Sequence, residues 1–120
     1  MEYMLLLHDD ETRWARMGEE QFGREMGAYV AYTNALREAG VYVAGNPLQP
    51  TGTATIVTVK TDGKTNVLDG PYAETKEQLG GYYLIEVPDL DAAISWAARC
   101  PCAGTGTVEI RPIAEITAPV

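Results

Sequence analysis

The chain has one histidine, one serine, one phenylalanine and two cysteines among its 120 residues, and each scarcity removes a class of chemistry. Ser95 falls inside a helical pattern, where its hydroxyl bonds a backbone carbonyl or water, so a Ser-His-acid triad has no nucleophile. Cys100 and Cys102 are separated by Pro101 alone, too close for an ordinary disulfide framework and too few for a structural zinc site. Reduced thiols are expected, and because no familiar His/Asp/Glu/Cys spacing occurs, neither a metal nor any other cofactor is expected. Basic residues are also short, 9 against 17 acidic ones. The resulting charge of −8 repels phosphate backbones and argues against a nucleic-acid partner. The longest apolar run, Met4 to Leu7, is too short for a bilayer span or a signal-peptide core. No membrane partner and a cytoplasmic location follow as expectations.

What is present is ordinary for a water-soluble fold: 46% hydrophobic and 22% charged residues. Residues 1–120 fit one domain, large enough to bury about two-thirds of the surface of the unfolded chain. Tyr3 to His8 reads as a continuously apolar strand of the kind buried on both faces, central in its sheet. From Gln21 to Ala39, residues Phe22, Met26, Tyr29, Val30, Thr33 and Leu36 recur at helical steps, and Gly40 stops the pattern. Trp14 and Met17 belong to a shorter helical turn before it, broken at Gly18. Strands are predicted at Val41 to Ala44, Thr53 to Lys60, Thr65 to Leu68, Gly81 to Val87 and Thr107 to Ile113, with a hairpin turn at Asp62-Gly63. A second helix opens at Asp89 as N-cap, buries Leu90, Ala93, Ile94 and Ala97, and ends at Pro101.

Strand, helix, strand thus occurs twice, which predicts an α+β fold: a ferredoxin-like βαββαβ core with an inserted β-hairpin. Both helices then cover one sheet face. Thr107, Glu109 and Arg111 would lie on the other face if Val108 and Ile110 point at the helices.

Asp69 to Ile85, DGPYAETKEQLGGYYLI, is the densest motif: a turn at Asp69-Gly70-Pro71, four ionisable or hydroxyl residues at Glu74 to Glu77, then Gly80-Gly81 and a strand. The segment resembles the signature of the DGPF-type, YCII-related family, with Tyr72 where that signature usually has Phe, and the likeness runs through most of the chain. The resemblance implies a homodimer closed as an α/β barrel with a cleft between the two sheets. Some relatives carry a His-Asp pair, the histidine on the first long helix and the aspartate just after the second. This chain has neither, since Gln21 to Ala39 lacks histidine and Cys100 to Ala103 lacks aspartate.

His8, at a strand end beside Asp9 and Asp10, is the remaining base; its alternative is a solvated or carboxylate-bonded histidine with no catalytic duty. It is not expected to be essential. The ligand-binding residues expected are Asp69, Glu74, Lys76, Arg111 and His8, two carboxylates with three groups able to carry positive charge, suited to a small polar or anionic molecule. The alternative reading makes Asp69 a cap of its own turn and Glu74 to Glu77 a solvated helical turn. Glu109 with Arg111 and Tyr82 with Tyr83 read as structural pairs. Two functions remain open: proton-transfer or elimination chemistry without a cofactor, or a non-catalytic binding or regulatory module, the latter because relatives often accompany stress-response sigma factors.

Overall fold

The computed structural model describes residues 1–116. Strand β1 (Glu2–Asp9) leads through helix α1 (Glu11–Ala15) into helix α2 (Glu19–Glu38) and strand β2 (Tyr42–Pro47). A short 3₁₀ turn (Thr51–Thr53) precedes the hairpin strands β3 (Thr55–Val59) and β4 (Thr65–Asp69). Strand β5 (Gln78–Glu86), helices α3 (Leu90–Arg99) and α4 (Cys102–Thr105) and strand β6 (Thr107–Pro112) complete the chain. The main sheet has the order β2-β5-β1-β6 with every neighbouring pair antiparallel, so β1 is an inner strand as expected. β3 and β4 form a separate two-stranded sheet.

The helix boundaries follow local chemistry. Asp89 accepts a hydrogen bond from the Ala92 amide at 2.9 Å and starts α3. Gly40, at φ 73°, takes the left-handed conformation that ends α2. Both long helices pack on one face of the sheet: Tyr32 and Leu36 of α2 and Ala93 and Ala97 of α3 join Tyr3, Leu5, Leu7, Tyr83 and Ile85 in a single core. Two buried hydroxyls fix that packing, because Tyr32 donates to the Trp96 carbonyl at 2.7 Å and the Thr33 and Tyr83 hydroxyls lie 2.7 Å apart. Fully burying a residue such as Leu5 or Leu36 stabilises the fold by roughly 1.5–3 kcal/mol.

Three sequence expectations change. β1 is not buried on both faces: Tyr3, Leu5, Leu7 and Asp9 are buried, whereas Met4, Leu6 and His8 on the helix-free face are half-buried. An unbroken apolar run hides this alternation, because strand geometry sends successive side chains to opposite faces whatever their polarity. The apolar stripe of α2 is also rotated, with Phe22, Met26 and Val30 exposed. Its first half lies against α1 instead of the sheet, through an edge-on Trp14–Phe22 contact at 6.0 Å and the Arg13–Glu25 ion pair at 2.9 Å. On α3, Leu90 and Ile94 are each 48% exposed, so the buried stripe narrows to Ala93 and Ala97.

Candidate functional site

The site begins at the C-terminal end of β1. Opposite Leu7 stands Gly81, but opposite His8 stands Leu79, so a bulge at Gly80 breaks the ladder where β1 reaches His8. Gly81 fits there because a Cβ would come within 2.9 Å of the Asn46 carbonyl oxygen. On the other side, Gly106 lets the turn into β6 press against the His8 backbone, where a Cβ would stand 2.1 Å from the His8 carbonyl oxygen. The Gly106 turn thus presses directly on the His8 backbone, while Gly81 lets β2 close on β5 beside the bulge.

Strand alternation separates the two acids beside it from its ring. Asp9 points to the helix side, where it accepts from Arg13 at 2.8 Å, from the Thr105 hydroxyl at 3.0 Å and from the Asp10 amide at 2.8 Å. Burial alone would raise the Asp9 pKa, yet the hydrogen bonds from Arg13 and Thr105, with the Arg13 charge, together hold it below the usual carboxylate value. Asp10 caps α1 by accepting from the Thr12 amide at 2.9 Å, and its bonds from Thr12 likewise lower its pKa. Neither partners His8.

Glu109 does. Its Oε1 lies 3.0 Å from His8 Nε2, two positions along β6 from Thr107, the residue in register with His8. This diagonal places both side chains on the helix-free face. Around them opens a cleft of about 560 Å³, lined by His8, Thr75, Lys76, Glu77, Thr107 and Glu109. Thr107 donates to Glu77 at 2.9 Å, fixing that carboxylate on the cleft wall. Gln78 braces the wall from behind: its side-chain NH₂ donates to the Thr75 carbonyl at 2.6 Å, and its oxygen accepts from the Glu11 amide at 2.9 Å.

Of the residues expected from sequence, the structure brings His8 and Lys76 together in this cleft. Asp69 closes β4 opposite Thr55 and is exposed, Glu74 is exposed in the loop before β5, and Arg111 stands on β6 opposite Met4; none of these three lines the cleft. The loop at 71–77 contains no helical turn. Glu109 and Glu77 were missed as site residues. Alternation of β6 already put Glu109 on the open face, but its pairing with a residue 101 positions away depends on strand order, which no local pattern encodes.

Both cysteines are buried, and burial pushes the Cys100 thiol up to about 12 and the Cys102 thiol up to about 11, the latter helped by the nearby Asp9 charge. They remain protonated at neutral pH and packed as small apolar groups. Among the described residues, no group of three or more His, Cys, Asp or Glu side chains is arranged to hold a metal ion, and no helix is long and apolar enough to cross a membrane.

Comparison with known proteins places this chain in a family. The chain is 39% identical over 116 residues to an uncharacterized protein of Rhizobium meliloti (strain 1021), covering 95% of this chain and 93% of that one. In fold it is similar to the 5-chloro-2-hydroxyhydroquinone dehydrochlorinase of Burkholderia phenoliruptrix AC1100, solved in complex with 2,5-dihydroxybenzoquinone. The TM-score is 0.54 at 16% identity, over 95% of this chain and 94% of that chain. The sequence matches the YCII-related domain over residues 1–117, and the chain belongs to the YCII-related family.

Proposed function

We propose that this protein binds a small polar molecule in the cleft beside β1 and β6 and carries out proton transfer or elimination there without a cofactor. The carrying observation is the His8–Glu109 pair, 3.0 Å apart, at an open cleft that also presents Lys76, and it is the ground for giving His8 the role of base where the sequence alone led to the expectation that His8 is not essential. A carboxylate that accepts from one imidazole nitrogen selects the tautomer and leaves the other nitrogen to take a proton. In an elimination, His8 removes a proton from substrate carbon or oxygen, the released electron pair forms the new double bond, and the leaving group departs as an anion with its bonding electrons. The Lys76 ammonium is placed to offset that charge. A protein of this fold performs a dehydrochlorination, an elimination of this kind.

The reading includes a ferredoxin-like core and a homodimer closed as an α/β barrel. In its support, the strand order β2-β5-β1-β6 interleaves two strand-helix-strand units, and both long helices lie on one face. The opposite face carries the half-buried Met4, Leu6, Tyr82 and Leu84 beside the cleft. A second sheet laid on this face would exclude water from His8 and Glu109 and strengthen their interaction.

Chlorinated hydroxyhydroquinones provide the test, with chloride release as the readout. His8→Gln keeps hydrogen bonding and removes titration, so turnover should fall at least about 100-fold while binding persists. Saturable binding without turnover in the parent protein would favour a binding module instead, and turnover insensitive to His8→Gln would remove the assigned base.

A further inference from the structure

The β3–β4 hairpin is the part of the chain least explained by the chain itself. Val57, Val59 and Val67 form one of its faces, between 56% and 64% exposed, and Leu68 on the other face is 55% exposed. Neither strand packs extensively on any element other than its hairpin partner. An isolated two-stranded hairpin is at best marginally stable in water, so this one needs a cover.

Three quantities identify that cover as a second copy of this chain. The accessible surface is 8332 Å² for a 13.0 kDa chain, whereas a compact monomer of that mass exposes about 6,300 Å². The excess, about 2,000 Å², comfortably exceeds the roughly 800 Å² that each partner contributes to a stable interface. Shape agrees: the radius of gyration is 16.9 Å against about 13.6 Å for a compact chain of this length, and the thinnest extent is 19 Å. The chain is thus a thin slab, and the hairpin is a separate sheet with little packing on the rest of it.

Charge supplies the third argument. Thr55 to Asp69 carries Lys60, Lys64, Asp62 and Asp69 and sums to zero, so the full −8 resides on the remainder of the chain. Two of the three lysines sit at the hairpin tip. The hairpin is thus a segment that an otherwise acidic second copy does not repel.

From these observations we infer that the hairpin is an arm that seats its valine face on a second copy of this chain, and that seating it fixes the cleft wall. The connection is covalent and short, since β4 ends at Asp69 and the cleft residues Thr75, Lys76 and Glu77 follow within eight positions. The inference rests on the face-to-face dimer proposed above and adds to it a part outside the main sheet.

Two variants test the arm. Val57→Asp with Val67→Asp places carboxylates on the seating face. Replacing residues 55–69 by an Asn-Gly turn removes the arm; the Gly70 amide already donates to the Ala54 carbonyl at 2.7 Å, so the cut ends are adjacent. Light scattering across micromolar dilution, circular dichroism and hydrogen exchange are read for the parent and both variants. Expected are a dimeric parent with slow exchange in β3, β4 and residues 71–77, and folded variants with association weakened at least about tenfold. Fast exchange of residues 71–77 is expected in the aspartate variant. If both variants dimerise like the parent, the arm is refuted while the sheet-face dimer stands. A monomeric parent refutes both. Should the deletion variant unfold, the aspartate variant decides alone.

Discussion

His8 and Asp9 are adjacent in sequence and opposite in fate. Asp9 is 8% exposed and accepts three hydrogen bonds, one of them from a guanidinium that also grips Glu25, so its charge is consumed by structure. His8 sits on the other side of the same strand with a 29% exposed side chain, a single carboxylate partner and an open cleft in front of it. An ionisable group whose bonding capacity is saturated in a closed environment holds a fold together, and one with capacity to spare beside a cavity is available to a ligand. The neighbouring hydroxyls divide in the same way. Thr105 serves Asp9, while Thr107, two residues later, orients Glu77 in the cleft.

The largest effect expected from breaking this contrast is on the Asp9 side. Asp9→Ala leaves Thr105, the Asp10 amide and one Arg13 nitrogen without their acceptor, Glu25 still holding the other, and should cost about 3 kcal/mol in denaturant unfolding. The acid dependence has a definite sign. With the folded Asp9 pKa below its ordinary 3.8, the unfolded chain takes up a proton first as pH falls. Its contribution is therefore complete above about pH 4 and is lost as pH drops through the folded value. Asp9→Asn should flatten stability against pH in that acid range and leave the neutral region's slope unchanged.

Next in size is Gly106→Ala, which would force a Cβ to within 2.1 Å of the His8 carbonyl oxygen. The turn must shift, at a cost of about 1–3 kcal/mol, and the shift should also disturb the His8–Glu109 spacing. Reduced turnover accompanied by reduced melting temperature is the expected signature. The smallest stability change belongs to the cleft: His8→Gln should alter unfolding free energy by no more than about 0.5 kcal/mol, because the ring is half-buried and braces nothing. A melting loss as large as that of Asp9→Ala would erase the distinction between the two faces.

Much of the fold was legible because its signals are local. Asp89 as a helix cap, Gly40 as a helix stop, the Asp62-Gly63 turn and the alternation of β6 each depend on a few adjacent residues, and the structure contains all four. The site was legible only in part. His8 and Lys76 stood out by type and position, but the partner of His8 depends on β6 lying beside β1, a long-range choice of strand order. Asp69 and Glu74 were grouped with Lys76 because they are near it in sequence, but Asp69 ends β4 before the Gly70-Pro71 turn and Glu74, past that turn, is exposed without lining the cleft. The α2 stripe misled for a related reason: periodicity identifies an apolar face, and the neighbouring element that covers it is decided elsewhere in the chain.

The single histidine makes the most direct measurement simple, because its ring gives one resolved set of NMR signals. Titrating the protein with 2,5-dihydroxybenzoquinone, the ligand of the solved fold relative, reads both faces of β1 at once. Binding in the His8 cleft predicts saturable shifts of the His8 ring signals and of the Lys76, Thr107 and Glu109 amides, little change at Arg13 and Thr105, and weakened binding in Glu109→Gln. Shifts centred on Arg13, Thr105 or Asp69 with the His8 ring unmoved, or no saturable shift from this compound and chlorinated hydroxyhydroquinones, would contradict it.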